Sequence, residues 1–171
     1  GSTLWHMRLT IAITVFTALL VACSSDNSTA TPTHSEPAIG PGPPQTVINC
    51  AGCPLVDVTR VIDGDTVDTS AGRVRFYGVD TPERGEACFS EATAATENLA
   101  GGQVRLEDGP RLTDNFSRRL AYVYDAAGNS IDVQLVAGGY ARAWTQDGQH
   151  RDVLVTLERS ARENEAGCLW G

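Results

Sequence analysis

The sequence predicts a fold of the α+β class, mainly β: a five-stranded barrel with about three helices over residues 55–171. Two observations support this prediction. Short β-branched segments bounded by turn residues recur between residues 56 and 124, which is typical of strands. Segments with apolar residues at helical spacing lie between and after them. Short strands with interleaved helices favour a small closed barrel of the OB type.

Three strands are expected first, as a meander. Val56–Ile62 alternates and is rich in β-branched residues, which favours an extended chain. Thr66–Thr69 and Val74–Val79 follow after short turns that contain glycine. Pro82 then ends the meander, because proline has no N–H to donate to a neighbouring strand.

Two further strands and three helices complete the domain, in the order helix Ser90–Leu99, strand Gln103–Glu107, strand Arg119–Tyr124, helix Ile131–Ala137 and helix His150–Glu165. Ser90 is expected to cap the first helix, since serine is a preferred N-cap residue. His150 begins the last helix and is expected to be exposed. Tyr122 and Tyr124 are expected to lie one in the core and one at the surface.

The N-terminal third of the chain predicts export. Residues 1–6 precede the only Met and are interpreted as a cloning scar. Residues 7–22 combine one Arg with an apolar run of about 14 residues, which is short for a permanent membrane span. The run ends at Cys23, as in a bacterial lipoprotein signal peptide whose cysteine is lipidated. A buried apolar helix with a chance cysteine is the alternative.

Residues 23–50 are interpreted as a flexible linker, because they are rich in Ser, Thr, Pro and Gly and have few large apolar side chains to offset chain entropy. We therefore expect a monomeric domain held at the outer face of the bacterial cell membrane or envelope, or secreted. A lipid on Cys23 would be its one contact with the membrane.

Composition narrows the possible partners. The chain has 13 basic residues, all of them Arg, against 21 acidic residues, and its net charge of −8 excludes a protein that coats nucleic acid through a broad positive face. A polyanion would have to be bound by a few placed arginines or by a metal ion. The hydrophobic share of 42% excludes a wholly disordered chain.

Four cysteines follow Cys23, and an even number in an exported chain favours disulfides. Three pairings are open. The simplest joins Cys50 to Cys53 locally and Cys88 to Cys168, which closes a loop of about 80 residues and stabilises the fold by roughly 4 kcal/mol. A redox or zinc-binding role for the Cys-x-x-Cys segment is the alternative.

Acidic residues lie at the ends of the first and third predicted strands, namely Asp63, Asp65, Asp80 and Glu83. Neighbouring strands of a meander can bring these ends together near a backbone carbonyl. Oxygen ligands of high negative charge suit a hard cation, Ca²⁺ before Mg²⁺. Arg75 precedes Asp80 in the third strand, and an arginine beside a metal ion is suited to neutralise the oxygens of a phosphodiester.

These residues belong to sequence blocks that resemble the staphylococcal nuclease (thermonuclease) family: VIDGDTV at 61–67, RFYGVDTPE at 75–83, TDNFSRRLAYVY at 113–124 and GCLW at 167–170. The resemblance runs from about Val56 to Trp170. It implies an OB-type barrel with three helices and a calcium-dependent endonuclease. Such an enzyme would hydrolyse phosphodiester bonds of DNA, RNA or both and leave a 3′-phosphate.

The resemblance also implies a role for each matched residue. Asp65, Asp80 and the carbonyl of Thr81 would bind Ca²⁺, with Asp63 just outside the metal ligands. Three further residues would act on the substrate: Glu83 as general base, and Arg75 and Arg118 as phosphate ligands.

The chain also departs from the family pattern. Asn115–Ser117 stands where the family often has Lys-Tyr-Gly, and Phe116 within it can stack but cannot hydrogen-bond a phosphate. The nearest candidates for aromatic contacts to a base are Tyr140 and Trp144. Two alternatives to a nuclease remain: a catalytically silent barrel that binds nucleic acid or another ligand, and a lipoprotein that only binds calcium.

Overall fold

The computed structural model of the protein describes residues 47–171. Its elements are, in chain order, β1 (Leu55–Asp63), β2 (Thr66–Thr69), β3 (Gly72–Phe76), β4 (Val79–Asp80), α1 (Phe89–Ala100), β5 (Gln103–Thr113), β6 (Arg119–Asp125), α2 (Ile131–Ala137), β7 (Arg142–Ala143), α3 (Arg151–Glu163) and α4 (Gly167–Trp170). The predicted fragments 1–6, 7–22 and most of 23–50, with the lipidation site Cys23, lie outside the described residues.

Five of the strands close into a barrel in the order β1-β2-β3-β6-β5. Neighbouring strands are antiparallel except β3 and β6, which run parallel with Val74 opposite Arg119. The short strands β4 and β7 form a separate antiparallel pair with Asp80 opposite Arg142. The predicted mainly β fold with an OB-type five-stranded barrel is thus confirmed.

The hydrophobic core fills the barrel and continues beneath the helices. Strand residues supply most of it, and the fully buried ones include Val67, Val74, Phe76, Val104, Leu106 and Val123. Helix α2 adds Ile131 and Leu135, while α3 adds Leu154. Both helices therefore cover the barrel with one apolar stripe, as amphipathic helices do.

Asp132, in the first turn of α2, ties three parts of this core together. Its fully buried carboxylate accepts hydrogen bonds from the backbone N–H of Gly78 at 3.1 Å and of Val123 at 2.9 Å. Burial raises the pKa of Asp132 to about 6, although the two amides act in the opposite direction. A Cβ on Gly78 would lie 2.5 Å from Cδ1 of Leu154 and 3.0 Å from Oδ1 of Asp132, so a larger residue would force these side chains to shift.

Local predictions failed where tertiary contacts override the sequence pattern. The predicted strand Val74–Val79 is broken after Phe76, and its last residue belongs to β4. Helix α1 has Cys88 at its N-cap with φ 72° and no side-chain cap, so the prediction that Ser90 caps it is wrong. Ser90 lies inside the first turn, where its hydroxyl cannot take the capping position.

The predicted environments of Tyr122, Tyr124 and His150 are also wrong. Both tyrosines are buried, because residues two apart on a strand face the same side of the sheet. His150 is partly buried, with Nε2 3.0 Å from Oε2 of Glu107 and 3.3 Å from the Tyr124 hydroxyl. The Tyr124 hydroxyl also donates to the Glu107 carboxylate.

Both disulfides of the simplest predicted pairing are present, Cys50–Cys53 and Cys88–Cys168. The second joins the start of α1 to α4. The backbone of Cys50 donates to Gly128 at 2.9 Å, and Asn49 pairs with Asn129. Ile48 also packs against the core, so the chain contacts the domain from Ile48 onward and the last residues of the predicted linker 23–50 belong to the folded domain.

Among residues 47–171, no helix is both long enough and apolar enough to cross a bilayer.

Candidate active site

Asp65 lies in the tight turn between β1 and β2, where it contacts the segment that follows β4. Its buried carboxylate accepts the backbone N–H of Thr81 at 2.8 Å and the Thr81 hydroxyl at 2.9 Å. A Cβ on Gly64 would lie 2.8 Å from the Thr81 side chain, so glycine is needed for this approach. Asp63 accepts the backbone N–H of Asp65 at 3.2 Å and thereby shapes the turn.

Arg75 joins the two acidic strand ends. Its Nε lies 3.0 Å from Oδ1 of Asp65, and its Nη2 lies 2.9 Å from Oδ1 of Asp80. Nη1 donates to the backbone carbonyls of Phe76 and Val79, both at 2.7 Å. The Arg75 side chain is only 13% exposed, so four protein oxygens fix its guanidinium in a largely buried position.

Burial raises the pKa of Asp65 to about 6, while the nearby Arg75 guanidinium and the Thr81 N–H act in the opposite direction. The ionised form of this carboxylate is therefore costly unless positive charge lies beside it. Asp80 is half exposed, and Arg75 binds one of its two oxygens. Arg75 supplies that positive charge, with its Nε 3.0 Å from Oδ1 of Asp65.

The donors available here fit Ca²⁺ in kind. Asp65, Asp80 and the Thr81 carbonyl supply hard oxygens, which calcium prefers and accepts in sets of about six to eight. Within residues 47–171, no three His, Cys, Asp or Glu side chains come together as a metal site. The protein would therefore supply part of the ligand set, and water or substrate oxygens the rest.

A turn between β5 and β6 presents Arg118. Asp114 organises this turn by accepting the backbone N–H of Phe116 and of Arg118, both at 2.9 Å, and the Nε of Arg118 at 2.6 Å. Burial opposes ionisation of Asp114, but the hydrogen bonds from Arg118 prevail and lower its pKa. Both Nη groups of Arg118 have no hydrogen bond to any described residue, so they are free for a ligand.

One pocket of about 260 Å³ brings the two arginines together, since both Arg75 and Arg118 line it. Phe116, which is 80% exposed, and Trp144 line the same pocket. Tyr140 does not line it and packs against the hydrophobic core. The structure thus places two of the three aromatic candidates at the pocket.

Glu83 lies apart from this pocket. Its side chain is exposed, and its backbone N–H donates to Oε2 of Glu86 at 2.9 Å. The Glu83 carboxylate has no hydrogen bond to the described residues. The structure therefore brings together Asp65, Arg75, Asp80 and Thr81, and it leaves the predicted general base free in solvent.

Three residues with a role at this pocket were not singled out from the sequence. Asp114 carries the Arg118 turn, and its place in the TDNFSRR block was a usable signal. Arg111 lines the pocket and pairs with Asp147, with Nε 2.6 Å from Oδ2. No local pattern indicates that pair, because the two residues are 36 positions apart.

Comparison with known proteins bears directly on this arrangement. Residues 73–171, from β3 to the end of the chain, match the family described as staphylococcal nuclease homologue. The chain belongs to the staphylococcal nuclease family. The matched segment contains the family-like positions Arg75, Asp80, Glu83 and Arg118.

Three similar proteins each match about two thirds of the chain. Thermonuclease of Staphylococcus intermedius is 32% identical over 126 residues, which cover 66% of this chain and 74% of that protein. Micrococcal nuclease of Shigella flexneri is 29% identical over 127 residues, covering 67% and 72%. Succinoglycan biosynthesis protein ExoI of Rhizobium meliloti (strain 1021) is 26% identical over 129 residues, covering 68% and 65%. Staphylococcal nuclease relatives therefore carry more than one role.

Proposed function

We propose that the protein is a calcium-dependent endonuclease that hydrolyses phosphodiester bonds of DNA, RNA or both and leaves a 3′-phosphate. The observation that carries the proposal is the pocket that Arg75 and Arg118 both line, with Arg75 paired to the carboxylates of Asp65 and Asp80. Guanidinium groups match the geometry of phosphate oxygens. Membership of the staphylococcal nuclease family supports the same reading.

The two arginines would stabilise the charge that phosphorus gains during attack. Arg75 is already held by Asp65 and Asp80, so it needs no reorganisation when that charge develops. Arg118 keeps its two Nη groups free and can donate to two phosphate oxygens at once. Arg75 is thus fixed in place, and Arg118 is available to bind the substrate.

Asp65, Asp80 and the Thr81 carbonyl would hold the calcium ion, with Asp63 behind them. A bound calcium would supply Lewis-acid polarisation of a phosphate oxygen. The chain's own contribution is orientation: the N–H and hydroxyl of Thr81 hold one oxygen of Asp65 in place.

Glu83 is the proposed general base. Its exposed carboxylate is free to accept a proton from the attacking water. The new P–O bond forms as the bond from phosphorus to O5′ breaks, and the leaving oxygen takes a proton from solvent. The phosphate then stays on the 3′ side, as proposed.

Substrate binding would depend on a few contacts. Phe116 and Trp144 line the pocket and offer ring faces on which bases can stack. The net charge of −8 gives no general attraction to a polyanion. Affinity should therefore come from the placed arginines and the cation.

The test is cleavage of matched DNA and RNA oligonucleotides by the full chain, with calcium or with EDTA. We expect cleavage with calcium, its loss in EDTA and its return when calcium is added in excess. Mass spectrometry of the products would show whether the new 3′ ends carry phosphate. Cleavage that persists in EDTA would contradict the calcium requirement.

A catalytically silent barrel that binds nucleic acid is the second candidate. It is favoured by two observations: Arg75 is engaged by four protein oxygens, and Glu83 lies outside the pocket. Such a protein would bind the oligonucleotides and leave them intact with calcium present. The cleavage assay therefore separates the two candidates.

We also propose that the monomeric domain is tethered by a lipid on Cys23 at the cell envelope. The support is the order of Arg8, an apolar run and Cys23 in the sequence. Intact-mass analysis after bacterial expression would detect the lipid. The variant Cys23→Ala should lack it and leave the membrane fraction.

A further inference from the structure

One carboxylate orients two of the side chains that line the pocket. Asp147, in the loop between β7 and α3, accepts Nε of Arg111 at 2.6 Å and Nη2 of Arg111 at 3.1 Å. It also accepts the indole N–H of Trp144 at 2.9 Å. Arg111 and Trp144 both line the pocket, so Asp147 orients two lining side chains at once.

Arg111 is held on its face as well as on its edge. Its guanidinium carbon lies 5.3 Å from the ring centroid of Tyr77, close enough for a cation–π contact. Its Nη1 has no hydrogen bond to a described residue. Nη1 of Arg111 is thus left for a ligand.

The loop that carries Asp147 is itself anchored. Gly148 has φ 114°, and a Cβ there would lie 2.2 Å from the Tyr122 hydroxyl, so the chain passes tightly over the core. Gln149 donates to Oε1 of Glu107 at 3.2 Å, and His150 contacts the same carboxylate. The position of Asp147 is therefore fixed by the fold.

We infer that Asp147 is a positioning residue for substrate binding. It holds Arg111 so that Nη1 meets an oxygen of a phosphate next to the one that is cleaved, and it holds Trp144 against a base. This inference rests on the proposed nuclease function and adds a binding contact to it.

The net charge of the Arg111–Asp147 pair gives the inference a specific expected result. Hydrogen bonds from Arg111 hold the pKa of Asp147 well below its usual range, so the pair stays ionised and carries no net charge. Arg111 therefore contributes a directed hydrogen bond to the phosphate more than a long-range electrostatic attraction. Removing the Asp147 carboxylate would add net positive charge to the pocket, yet we expect weaker binding because Arg111 and Trp144 lose their orientation.

The experiment compares Asp147→Asn with a matched control, Asp68→Asn. Asp68 also binds arginines, Arg73 at 2.7 Å and Arg60 at 3.2 Å, but it does not line the pocket. Both changes remove one carboxylate that is held by guanidinium groups. The readout is steady-state cleavage of a labelled single-stranded oligonucleotide in calcium.

For Asp147→Asn we expect KM to rise about tenfold while kcat stays within about threefold, because binding is lost and the reacting groups are untouched. Asp68→Asn should match the wild type. A partly unfolded variant would also show a raised apparent KM, so a melting curve must first show that each variant is folded at the assay temperature. Asp147→Glu, which keeps a carboxylate, should recover part of the lost affinity.

A double-mutant cycle tests the route through Arg111. Arg111→Gln and Asp147→Asn should together raise KM by less than the product of their separate effects, since both remove one contact. Fully multiplicative effects would overturn the inference. So would an unchanged or lower KM for Asp147→Asn, or a loss confined to kcat.

Failure of the nuclease proposal can be distinguished from failure of the role inferred for Asp147. If the wild type cleaves no oligonucleotide, the nuclease proposal fails, and equilibrium binding of the same probe then tests Asp147 alone. A Kd about tenfold weaker than that of Asp68→Asn would support the positioning role. Equal Kd values for the two variants would overturn it.

Discussion

The two arginines that share the pocket are held in different ways. Arg75 is 13% exposed and contacts four protein oxygens, two of them from Asp65 and Asp80. Arg118 is 32% exposed and pairs with Asp114 alone, which lies four residues before it. One guanidinium is part of the barrel's structure, and a surface turn presents the other.

This difference separates stability from substrate contact. Loss of the Arg75 guanidinium would leave the buried Asp65 carboxylate without its cation, which is costly in a poorly solvated site. Loss of Arg118 would leave Asp114 with two backbone N–H donors still in place. We therefore expect changes at Arg75 to affect folding and activity, and changes at Arg118 to affect activity alone.

The largest expected effect is on catalysis at Arg118. Arg118→Ala should lower kcat by about a thousandfold, the scale of losing a group that stabilises transition-state charge. The thermal midpoint should stay close to that of the wild type. Cleavage kinetics measure the change in kcat, and a melting curve measures the thermal midpoint.

The adjacent Arg119 provides the control, because it pairs with Asp108 at 2.7 Å and does not line the pocket. Arg119→Ala should keep near-normal activity. A similar loss in both variants, or none in Arg118→Ala, would remove Arg118 from the reaction.

Arg75→Met should lower the free energy of unfolding by about 3 kcal/mol, the scale of breaking a buried ion pair by removing one partner. Methionine keeps much of the side-chain volume, so the missing charge is the main change. Urea denaturation of Arg75→Met and Arg118→Ala would compare the two directly. Equal stability would show that the Arg75 contacts do not support the fold.

Much of this architecture could be predicted from local sequence. The bounds of β2 and α2 agree with the prediction, since Thr66–Thr69 is flanked by turns and Ser130 and Gly138 bracket the helix. Elements that exist only through tertiary pairing were missed. Strands β4 and β7 are two residues long and depend on Val79 lying opposite Ala143.

The same distinction applies to the site. The carboxylates and arginines in the sequence blocks could be placed near one another, because neighbouring strands carry them. The contact of Arg111 with Asp147 could not, since it joins a strand to a loop 36 positions away. The burial of His150 was missed for the same reason, because its partner Glu107 lies 43 positions earlier.

Asp132 offers a contrast with Asp65, because it is a buried carboxylate that only backbone amides hold. The raised native pKa of Asp132 means that the folded protein retains this proton to higher pH than the unfolded chain does. That contribution to stability is complete below about pH 4 and is lost by about pH 6. Asp132→Asn cannot titrate and should lack this change.

The difference in unfolding free energy between wild type and Asp132→Asn should therefore shrink by about 2 kcal/mol as the pH rises from 4 to 7. Denaturation at several pH values measures it, and subtraction removes the other titrating groups. A difference that is constant with pH, or that grows towards neutral pH, would show that the amide donors dominate over burial.

The smallest effect tests whether the acidic end takes a cation at all. Ligand binding to the native state raises the thermal midpoint, by about 1 kcal/mol in stability when the free ligand is a few times its Kd. Calcium should therefore raise the midpoint of the wild type by a few degrees.

Asp80→Asn should abolish that shift with little cost to the fold, since Asp80 is half exposed and Arg75 keeps its bonds to Asp65 and two backbone carbonyls. Glu91→Gln, in the exposed first turn of α1, controls for a general effect of removing an acidic side chain. An equal calcium shift in Asp80→Asn and Glu91→Gln would place the cation elsewhere, and Arg75 would then be the only positive charge at Asp65.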